Sequence, residues 1–284
     1  MGVVNVTPDS FSDGGNFLEP EKAIEHALRT LDEGAEIIDV GGESTRPGVP
    51  IVGEERGANA GQLPVSEDEE LRRVLPVICG ILRARPDAIV SIDTYKANVA
   101  RHAVAAGAEI VNDVSGLQWD PQMASACGDL QCGVIVMHTR GKPRQWSGLP
   151  QLDNVVSQVE HDLANRLQAA FERGVERARV VLDPGFGFGK SFEDNYTLLA
   201  HMDQLQRPGF PLLAGTSRKS FVGRTVGKRR GTDAPPTERL YGSLAAMVVS
   251  VLRGAHIVRV HDVRPAVEAA AVADEVLAVS ENSE

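Results

Sequence analysis

Residues 2–15 of the chain read GVVNVTPDSFSDGG, a short β-branched run that passes directly into a polar, glycine-containing segment. The run predicts a strand over Val3–Val6, with Asn5 delivered to its end. The following loop carries the carboxylates of Asp9 and Asp13 beside the aromatic ring of Phe11. A few oxygen ligands beside a substrate phosphate are a common setting for Mg²⁺. A polar hairpin loop is the alternative interpretation of the same residues.

Seven further short apolar runs follow the first, and amphipathic segments separate them. The predicted strands are Val3–Val6, Glu36–Val40, Ile89–Ile92, Glu109–Val111, Gly133–Met137, Arg179–Leu182, Pro211–Ala214 and His256–Val260. The clearest helical patterns are Glu19–Glu33, Ser66–Ala84, Lys96–Ala106, Asn154–Arg173 and Tyr241–Arg253. Eight such units predict a parallel sheet that closes as a single (β/α)8 TIM-type barrel, with residues 1–284 forming one domain.

An open, doubly wound α/β sheet is the alternative architecture. No Gly-x-Gly-x-x-Gly motif follows the first predicted strand, and no Walker-type lysine loop is present, which disfavours a nucleotide-binding version of that fold. A chain of 284 residues is long enough for a (β/α)8 barrel, and its hydrophobic fraction of 42% supports a large core. We therefore expect the barrel.

Composition excludes several classes of function. The net charge of −10 disfavours nucleic acid as a partner, so that binding of an anion would need local positive charge. No segment is long and apolar enough to span a membrane, and no signal-peptide pattern is visible. The three cysteines, Cys79, Cys127 and Cys132, lack metal-ligand spacing and lie in apolar contexts. We expect them to be reduced core or near-core residues of a cytoplasmic protein.

Polar residues stand at the end of every predicted strand. They are Asn5, Asp39, Asp93, Asn112, His138, Asp183, Ser217 with Lys219, and Arg259 with His261. In a (β/α)8 barrel these positions converge at the C-terminal mouth, where active sites lie. A single Asp after a strand is more often a helix cap or turn former, but a polar residue at all eight exits favours an active site.

The last three strand exits indicate a site for an anion. Residues 183–190, DPGFGFGK, contain glycines that permit close approach of the backbone to a ligand, and their two phenylalanines are poorly explained as core. Lys219 lies at a predicted helix start, where free N–H groups favour negative charge. Arg259 and His261 project on one side of the last strand and could bind phosphate. A salt bridge to a neighbouring acid such as Asp262 is the alternative for this pair.

Seven segments together carry a resemblance to a known family. They are residues 2–15, 39–48 (DVGGESTRPG), 91–94 (SIDT), 111–114 (VNDV), 183–190, 217–219 (SRK) and 259–263 (RVHDV). They occur in the family's order over nearly the whole chain, which resembles the dihydropteroate synthases of the pterin-binding family. The resemblance implies a (β/α)8 barrel that joins 7,8-dihydropterin-6-methyl diphosphate to p-aminobenzoate with Mg²⁺, releasing pyrophosphate in folate biosynthesis. It also implies sulfonamides as competitive inhibitors and a homodimer formed through helices late in the barrel.

The resemblance further implies a role for individual residues. The pterin would contact Asp93, Asn112, Met137, Asp183, Lys219 and Arg259. The diphosphate would contact Asn5, Thr45, Arg46, Arg259 and His261. The p-aminobenzoate pocket would comprise Phe11, Thr45, Pro47, Phe188, Lys219 and Ser220. Mg²⁺ would bind Asn5, with Asp9 and Asp13 acting through water. The catalytic set would be Asp13, Asp93, Lys219, Arg259 and His261, serving an SN1-like substitution that needs no protein nucleophile.

Some features leave alternatives open. The segment Val49–Pro64 is longer than the family usually places before the acidic helix, and we expect a passive surface insertion rather than a change to the p-aminobenzoate pocket. The apolar helix Tyr241–Arg253 could form a dimer face or simply be buried. The pterin-binding module of a corrinoid-linked methyltransferase and a non-catalytic pterin-binding protein are the other candidate functions. Neither accounts for the presence of all the predicted diphosphate residues.

Overall fold

The computed structural model describes residues 1–7, 20–45, 48–52, 64–206 and 209–281. Within these residues the chain alternates between strands and helices. The strands are β1 (Gly2–Asn5), β2 (Ile37–Gly41), β3 (Ile89–Asp93), β4 (Ile110–Asp113), β5 (Gly133–Met137), β6 (Val180–Asp183), β7 (Leu213–Ala214) and β8 (Ile257–Val258). The helices are α1 (Pro20–Asp32), α2 (Glu67–Ala84), α3 (Ala97–Ala105), α4 (Met123–Leu130), α5 (Val155–Glu172), α6 (Phe192–Ala200), α7 (Ser220–Gly227), α8 (Leu240–Leu252) and α9 (Val263–Glu281). All eight predicted strands are confirmed at nearly their predicted bounds.

The strands are parallel and follow one another in chain order. Strands β1 to β6 form one continuous sheet, and β7 pairs with β8. A parallel bridge between Leu182 and Leu212 links β6 to the segment that enters β7, and a second bridge joins Gly2 to Val260. The amide of Val3 donates to the carbonyl of Val260 at 3.1 Å. These contacts link the last strand to the first, so the fold is the predicted (β/α)8 barrel.

Apolar and polar side chains alternate along the strands, and this alternation places the core on one face of the sheet and the site on the other. Side chains of successive residues point to opposite faces of a sheet. In β2 and β3 the fully buried Ile38, Val40 and Ile92 pack against the surrounding helices. Asp39 and Asp93 occupy the intervening positions, so they face the interior of the barrel. The apolar residues therefore hold helices on the outside while the polar ones gather inside.

The acidic helix start predicted at Ser66 is confirmed. The Ser66 hydroxyl accepts from the amide of Glu69 at 3.2 Å, and four acidic residues occupy the first turn of α2. Side-chain capping and negative charge at this end both stabilise a helix. The cap thus sets where α2 begins, directly after the enlarged loop, whose residues 53–63 lie outside the described residues.

Two predictions about burial are wrong. Cys79 is exposed on α2, whereas Cys127 and Cys132 are buried as predicted. The helical position of Cys79 points away from the sheet, although its neighbours in sequence are apolar. Phe186 is a core residue, 1% exposed and packed against Phe221 with ring centroids 6.2 Å apart.

Among the described residues, no helix is both long and apolar enough to cross a membrane.

Candidate active site

The register of the sheet brings the predicted residues to one end of the barrel. Asn5 lies opposite Gly41, and Gly41 in turn lies opposite Asp93. Asp93 pairs with Asn112 in the next strand. Because parallel strands keep their carboxyl ends together, these residues form a single row at the C-terminal mouth. The convergence predicted from the strand exits is confirmed here.

Asp39 lies at the centre of a buried hydrogen-bond network. Its carboxylate is fully buried and accepts from Arg259 Nε at 2.6 Å, from Ser91 Oγ at 2.6 Å and from Asn112 Nδ2 at 3.0 Å. Arg259 Nη2 also donates to Asp93 Oδ2 at 2.7 Å. Two carboxylates therefore hold the Arg259 guanidinium in one orientation. The sequence places Asp39 among the strand exits at the mouth but assigns it no role, because its partners Ser91, Asn112 and Arg259 come from three other strands or strand exits.

The charges of this network influence one another. Burial raises the pKa of Asp93 to about 7, with the negative charge of Asp39 adding to the rise while Arg259 opposes it. Burial disfavours the charge of Arg259, but Asp39 and Asp93 together raise its pKa above the ordinary value. Arg259 consequently stays protonated. Asp93 therefore changes its protonation state near neutral pH, so its ability to accept hydrogen bonds from a ligand depends on pH in that range.

Asn112 and Asp183 present polar atoms toward the same interior. Asn112 is 3% exposed, and its side-chain Nδ2 donates a hydrogen bond to Asp39 Oδ2. The side-chain carbonyl oxygen of Asn112 can then accept from a ligand. Asp183 Oδ1 accepts from the backbone amide of Gly185 at 2.7 Å. Burial raises the pKa of Asp183. Met137, opposite Asp183 in the sheet register, is 3% exposed and adds a soft apolar surface.

Lys219 lies directly before α7 and against an aromatic ring. Its ammonium is 4.0 Å from the centroid of Phe188, a distance typical of a cation–π contact. Burial lowers the pKa of Lys219 to about 8, and the charge of Arg259 adds to this effect. The rings of Trp146 and Phe188 form a T-shaped contact, with centroids 5.1 Å apart. Trp146 therefore supports the ring that faces Lys219.

The exit of β7 is held by an unusual backbone conformation. Arg218 has a φ of 57°, which is uncommon for a residue with a side chain. Its guanidinium forms two hydrogen bonds to Asp262, at 3.0 Å and 2.6 Å, and its backbone amide donates to Ser243 Oγ at 2.9 Å. These contacts stabilise the strained turn that places Lys219. The sequence includes Arg218 in the segment 217–219 of the resemblance, but its positive φ could not be predicted, because backbone strain has no signature in composition.

The same exit contacts His261. Its Nδ1 lies 3.1 Å from Ser217 Oγ. Burial lowers the pKa of His261 to about 3, with a further contribution from the charge of Arg259, so the imidazole is neutral at pH 7. Asp262 pairs with Arg218 rather than with Arg259 or His261. Asp262 is therefore not the partner of the predicted anion-binding pair, but the alternative of a salt bridge to an acid is confirmed for Arg259, which pairs with Asp39 and Asp93.

Two polar residues near these exits have other partners. His138 is fully buried, and its Nε2 lies 3.1 Å from Asp162 of α5, outside the barrel interior. Lys190 donates to the backbone carbonyl of Gly185 at 2.7 Å and so braces the loop after β6. Although His138 directly follows β5, its side chain packs between β5 and α5. The expectation that all eight exits face the mouth is wrong at this position.

The remaining predicted positions lie at the rim or beyond the described residues. Thr45 is partly exposed after β2, and Ser220 is exposed at the first turn of α7. Five predicted residues fall outside the described part of the chain: Asp9, Phe11, Asp13, Arg46 and Pro47. Among the residues that are described, no group of three or more His, Cys, Asp or Glu side chains is arranged to hold a metal ion. Asn5, partly exposed at the end of β1, carries a side-chain oxygen of the kind that can bind Mg²⁺.

Comparison with known proteins gives a consistent result. The model of the family described as "Pterin binding enzyme" matches residues 1–261. The chain belongs to this family. The dihydropteroate synthase of Escherichia coli K12 is 40% identical over 282 residues, covering 99% of this chain and 93% of the relative.

Solved structures of pterin-binding enzymes share the fold. Dihydropteroate synthase of Xanthomonas albilineans with 4-aminobenzoic acid is 43% identical and aligns with a TM-score of 0.84, covering 98% of this chain and 92% of that one. Yersinia pestis dihydropteroate synthase in complex with a sulfonamide drug is 39% identical with a TM-score of 0.86, covering 98% and 93% of the two chains. The pterin-binding barrel thus extends over nearly the whole chain.

Proposed function

We propose that the protein catalyses the condensation of 7,8-dihydropterin-6-methyl diphosphate with p-aminobenzoate, giving 7,8-dihydropteroate and pyrophosphate in folate biosynthesis. One observation carries this proposal: Asp93, Asn112, Asp183, Lys219 and Arg259 meet inside one end of the barrel. Carboxylates accept hydrogen bonds from the guanidine-like edge of a pterin, and the Asn112 carbonyl adds another acceptor. The chain is similar over nearly its full length to dihydropteroate synthases.

The residues of the site suit a substitution with SN1-like character. Arg259 is held by Asp39 and Asp93 through Nε and Nη2, so its Nη1 is available for the leaving diphosphate. As pyrophosphate departs, positive charge develops on the pterin methylene, and the Asp93 carboxylate stabilises it at short range. The aniline nitrogen of p-aminobenzoate then bonds to that carbon and loses a proton to solvent. No covalent intermediate with the protein is formed.

Mg²⁺ completes the proposed diphosphate site. When bound, it neutralises the charge that develops on the pyrophosphate. Asn5 would hold the ion together with phosphate oxygens, while Asp9 and Asp13 would bind its waters. His261 is neutral in the ligand-free protein, and an adjacent diphosphate would favour its protonation, so that the imidazolium donates to a phosphate oxygen.

The p-aminobenzoate pocket would lie between Phe188, Lys219 and the start of α7. Backbone N–H groups at a helix N-terminus and the Lys219 ammonium both favour a carboxylate. The ring of Phe188 offers an aromatic surface to the benzoate ring, and Thr45 would lie across the pocket. Sulfonamides, which resemble p-aminobenzoate in shape and polarity, would compete at the same place.

Release of pyrophosphate tests the proposal directly. The purified protein should release pyrophosphate from the pterin diphosphate with Mg²⁺, with equimolar dihydropteroate formed only when p-aminobenzoate is present. Lys219→Ala should lower turnover by ~100-fold or more, since a buried charge beside the reacting groups is lost. Lys228→Ala, at an exposed lysine, is the matched control and should retain full activity. Saturable pterin binding without turnover in the unaltered protein would refute the proposal.

We also propose that two copies of the chain associate through α8 and α9 and that the enzyme works in the cytoplasm. Val272, Val276 and Val279 recur at helical spacing on α9 and are 67%, 50% and 66% exposed, and Tyr241 at the start of α8 is 84% exposed. A second copy would cover these residues. Sedimentation should give twice the chain mass, and Val276→Glu should yield the monomer. A wild-type monomer at micromolar concentration would contradict the dimer.

A further inference from the structure

Three charged side chains meet out of solvent at the exits of β2 and β3. The ammonium of Lys96 donates to Oε2 of both Glu43 and Glu70. The side chains of Lys96, Glu43 and Glu70 are only 3%, 5% and 1% exposed. Removing three charges from water is costly, so such a cluster is a poor source of stability. Its position relative to the substrate sites suggests another role.

The cluster connects the two strand exits that the substrate spans. Glu43 stands two residues before Thr45, on the proposed diphosphate side. Lys96 stands three residues after Asp93, on the proposed pterin side. The ion pair between Lys96 and Glu43 therefore joins these two sides through side chains that solvent does not reach.

Helix α2 supplies the third member and is packed closely against the β2 exit. A Cβ at Gly42 would lie 2.9 Å from Cγ of Glu70, so only glycine allows this approach. Arg73, one turn further along α2, donates from Nη1 to the carbonyl of Gly42 at 2.8 Å. The β2 exit is thus held from the helix side as well as from β3.

Tyr95 extends the cluster to the described ends of the enlarged loop. The Lys96 ammonium lies 4.7 Å from the centroid of the Tyr95 ring. The Tyr95 hydroxyl accepts from the backbone amide of Val52 at 3.2 Å. Glu43 Oε1 accepts from the backbone amide of Val65 at 3.4 Å. The backbone at both Val52 and Val65 is therefore bonded to residues that Lys96 contacts.

We propose that Lys96 is a positioning residue, which holds Glu43, and with it Thr45, at a set distance from Asp93. This inference rests on the proposed function. The pterin and the diphosphate belong to one substrate, so both ends bind productively only when the β2 and β3 exits keep the correct spacing. Small displacements of binding groups are costly in rate, because correct geometry supplies a large part of catalysis.

Two variants and one control separate positioning from folding. Lys96→Met keeps the length of the side chain and removes its charge, leaving two buried carboxylates without a cation. The triple variant Lys96→Met/Glu43→Gln/Glu70→Gln is neutral and should fold with a Tm near that of the wild type, because no uncompensated charge is buried. Lys228→Met provides the matched control at an exposed lysine.

Both Lys96 variants should raise KM for the pterin diphosphate at least tenfold, while the affinity for a pterin lacking phosphates changes less than twofold. Hydrogen exchange at the amides of Val52 and Val65 should accelerate at least tenfold. A KM within twofold of wild type in the triple variant, or unchanged exchange at both amides, would overturn the proposal. Absence of turnover in the wild type would instead refute the proposed function, and amide exchange would still test the cluster.

Discussion

Substitution of Asp39 by Asn tests whether this buried carboxylate orients Arg259. Asp39 accepts from Arg259 and Asn112 through Oδ2 and from Ser91 through Oδ1. In Asp39→Asn the amide oxygen can face Arg259 and Asn112, while the new NH₂ group donates to the Ser91 hydroxyl, which rotates to accept. The variant therefore preserves the shape and the hydrogen bonds and removes one charge.

The expected magnitudes follow from these contacts. Attraction between two charges about 4 Å apart is roughly 4 kcal/mol at an effective dielectric constant of about 20. The penalty for burying a carboxylate is several kcal/mol, and the substitution relieves it. The two effects nearly cancel, so the free energy of unfolding should change by about 1 kcal/mol or less. Conversion of the charge-assisted bond to Arg259 into a weaker one costs about 2 kcal/mol. This loss corresponds to a fall of roughly 30-fold in kcat/KM.

The pH dependence of pterin affinity on the acidic side provides a second test of the role of Asp39. Asp39 contributes to the raised pKa of Asp93, so its neutralisation should lower that pKa from about 7. If ionised Asp93 accepts from the pterin, affinity for a phosphate-free pterin is lost as pH falls through the pKa of Asp93. Loss of affinity should therefore begin at lower pH in Asp39→Asn than in the wild type.

Asp39→Ala is the comparison variant. It leaves Arg259 and Asn112 without an acceptor at the position of Asp39 and should lower the free energy of unfolding by about 4 kcal/mol. Urea unfolding, steady-state kinetics and calorimetric titration of the pterin measure the three effects. A kcat/KM for Asp39→Asn within twofold of wild type, or a loss of stability equal to that of Asp39→Ala, would refute the orienting role.

Three more predictions concern other parts of the chain. Burial lowers the pKa of Lys219 to about 8, so its charge is present below that pH, and kcat/KM should fall as pH rises through 8. In Lys219→Arg this fall should occur at higher pH. A fall at the same pH in the variant would show that another group causes it. Phe188→Leu removes a cation–π contact of about 1 kcal/mol together with an aromatic surface. The KM for p-aminobenzoate should therefore rise roughly tenfold. The affinity for the pterin, measured by calorimetry, should stay unchanged. Iodoacetamide should alkylate exposed Cys79 in the native protein but Cys127 and Cys132 only after unfolding, as mass spectrometry would report; equal rates at all three would contradict the burial.

The fold could be predicted because its decisive signal is local. Each strand is a short apolar run, β-branched in every case except β7, and its approximate bounds can be seen in the sequence without knowledge of its neighbours. Helices α4, α6 and α9 are absent from the predicted set. Helices α4 and α6 are short and interrupted by polar or small residues, whereas α9 has 19 residues. Burial was predicted less well, as Cys79 and Phe186 demonstrate, because a residue's exposure depends on which face of an element meets the rest of the fold.

The sequence could predict which residues belong to the site but not which of them contact one another. The strand exits identify Asp93, Asn112, Asp183 and Arg259, and the parallel sheet explains why they converge. The central position of Asp39 depends on contacts with residues as far away as Arg259, 220 positions along the chain. His138 follows a strand like the others, yet it turns toward α5 because Asp162 offers it a partner there. Such pairings arise only in three dimensions.

The two tryptophans of the chain occupy complementary places. Trp146 forms a T-shaped contact with Phe188, and Trp119 forms one with Tyr95, whose ring centroid lies 5.2 Å away. Each indole is thus one aromatic ring away from a different half of the reaction centre. Fluorescence from Trp119→Phe would come from Trp146 beside the benzoate side, and that from Trp146→Phe would come from Trp119 beside the β2–β3 junction. The protein carries its own pair of optical probes, and stopped-flow emission could time the arrival of each substrate separately.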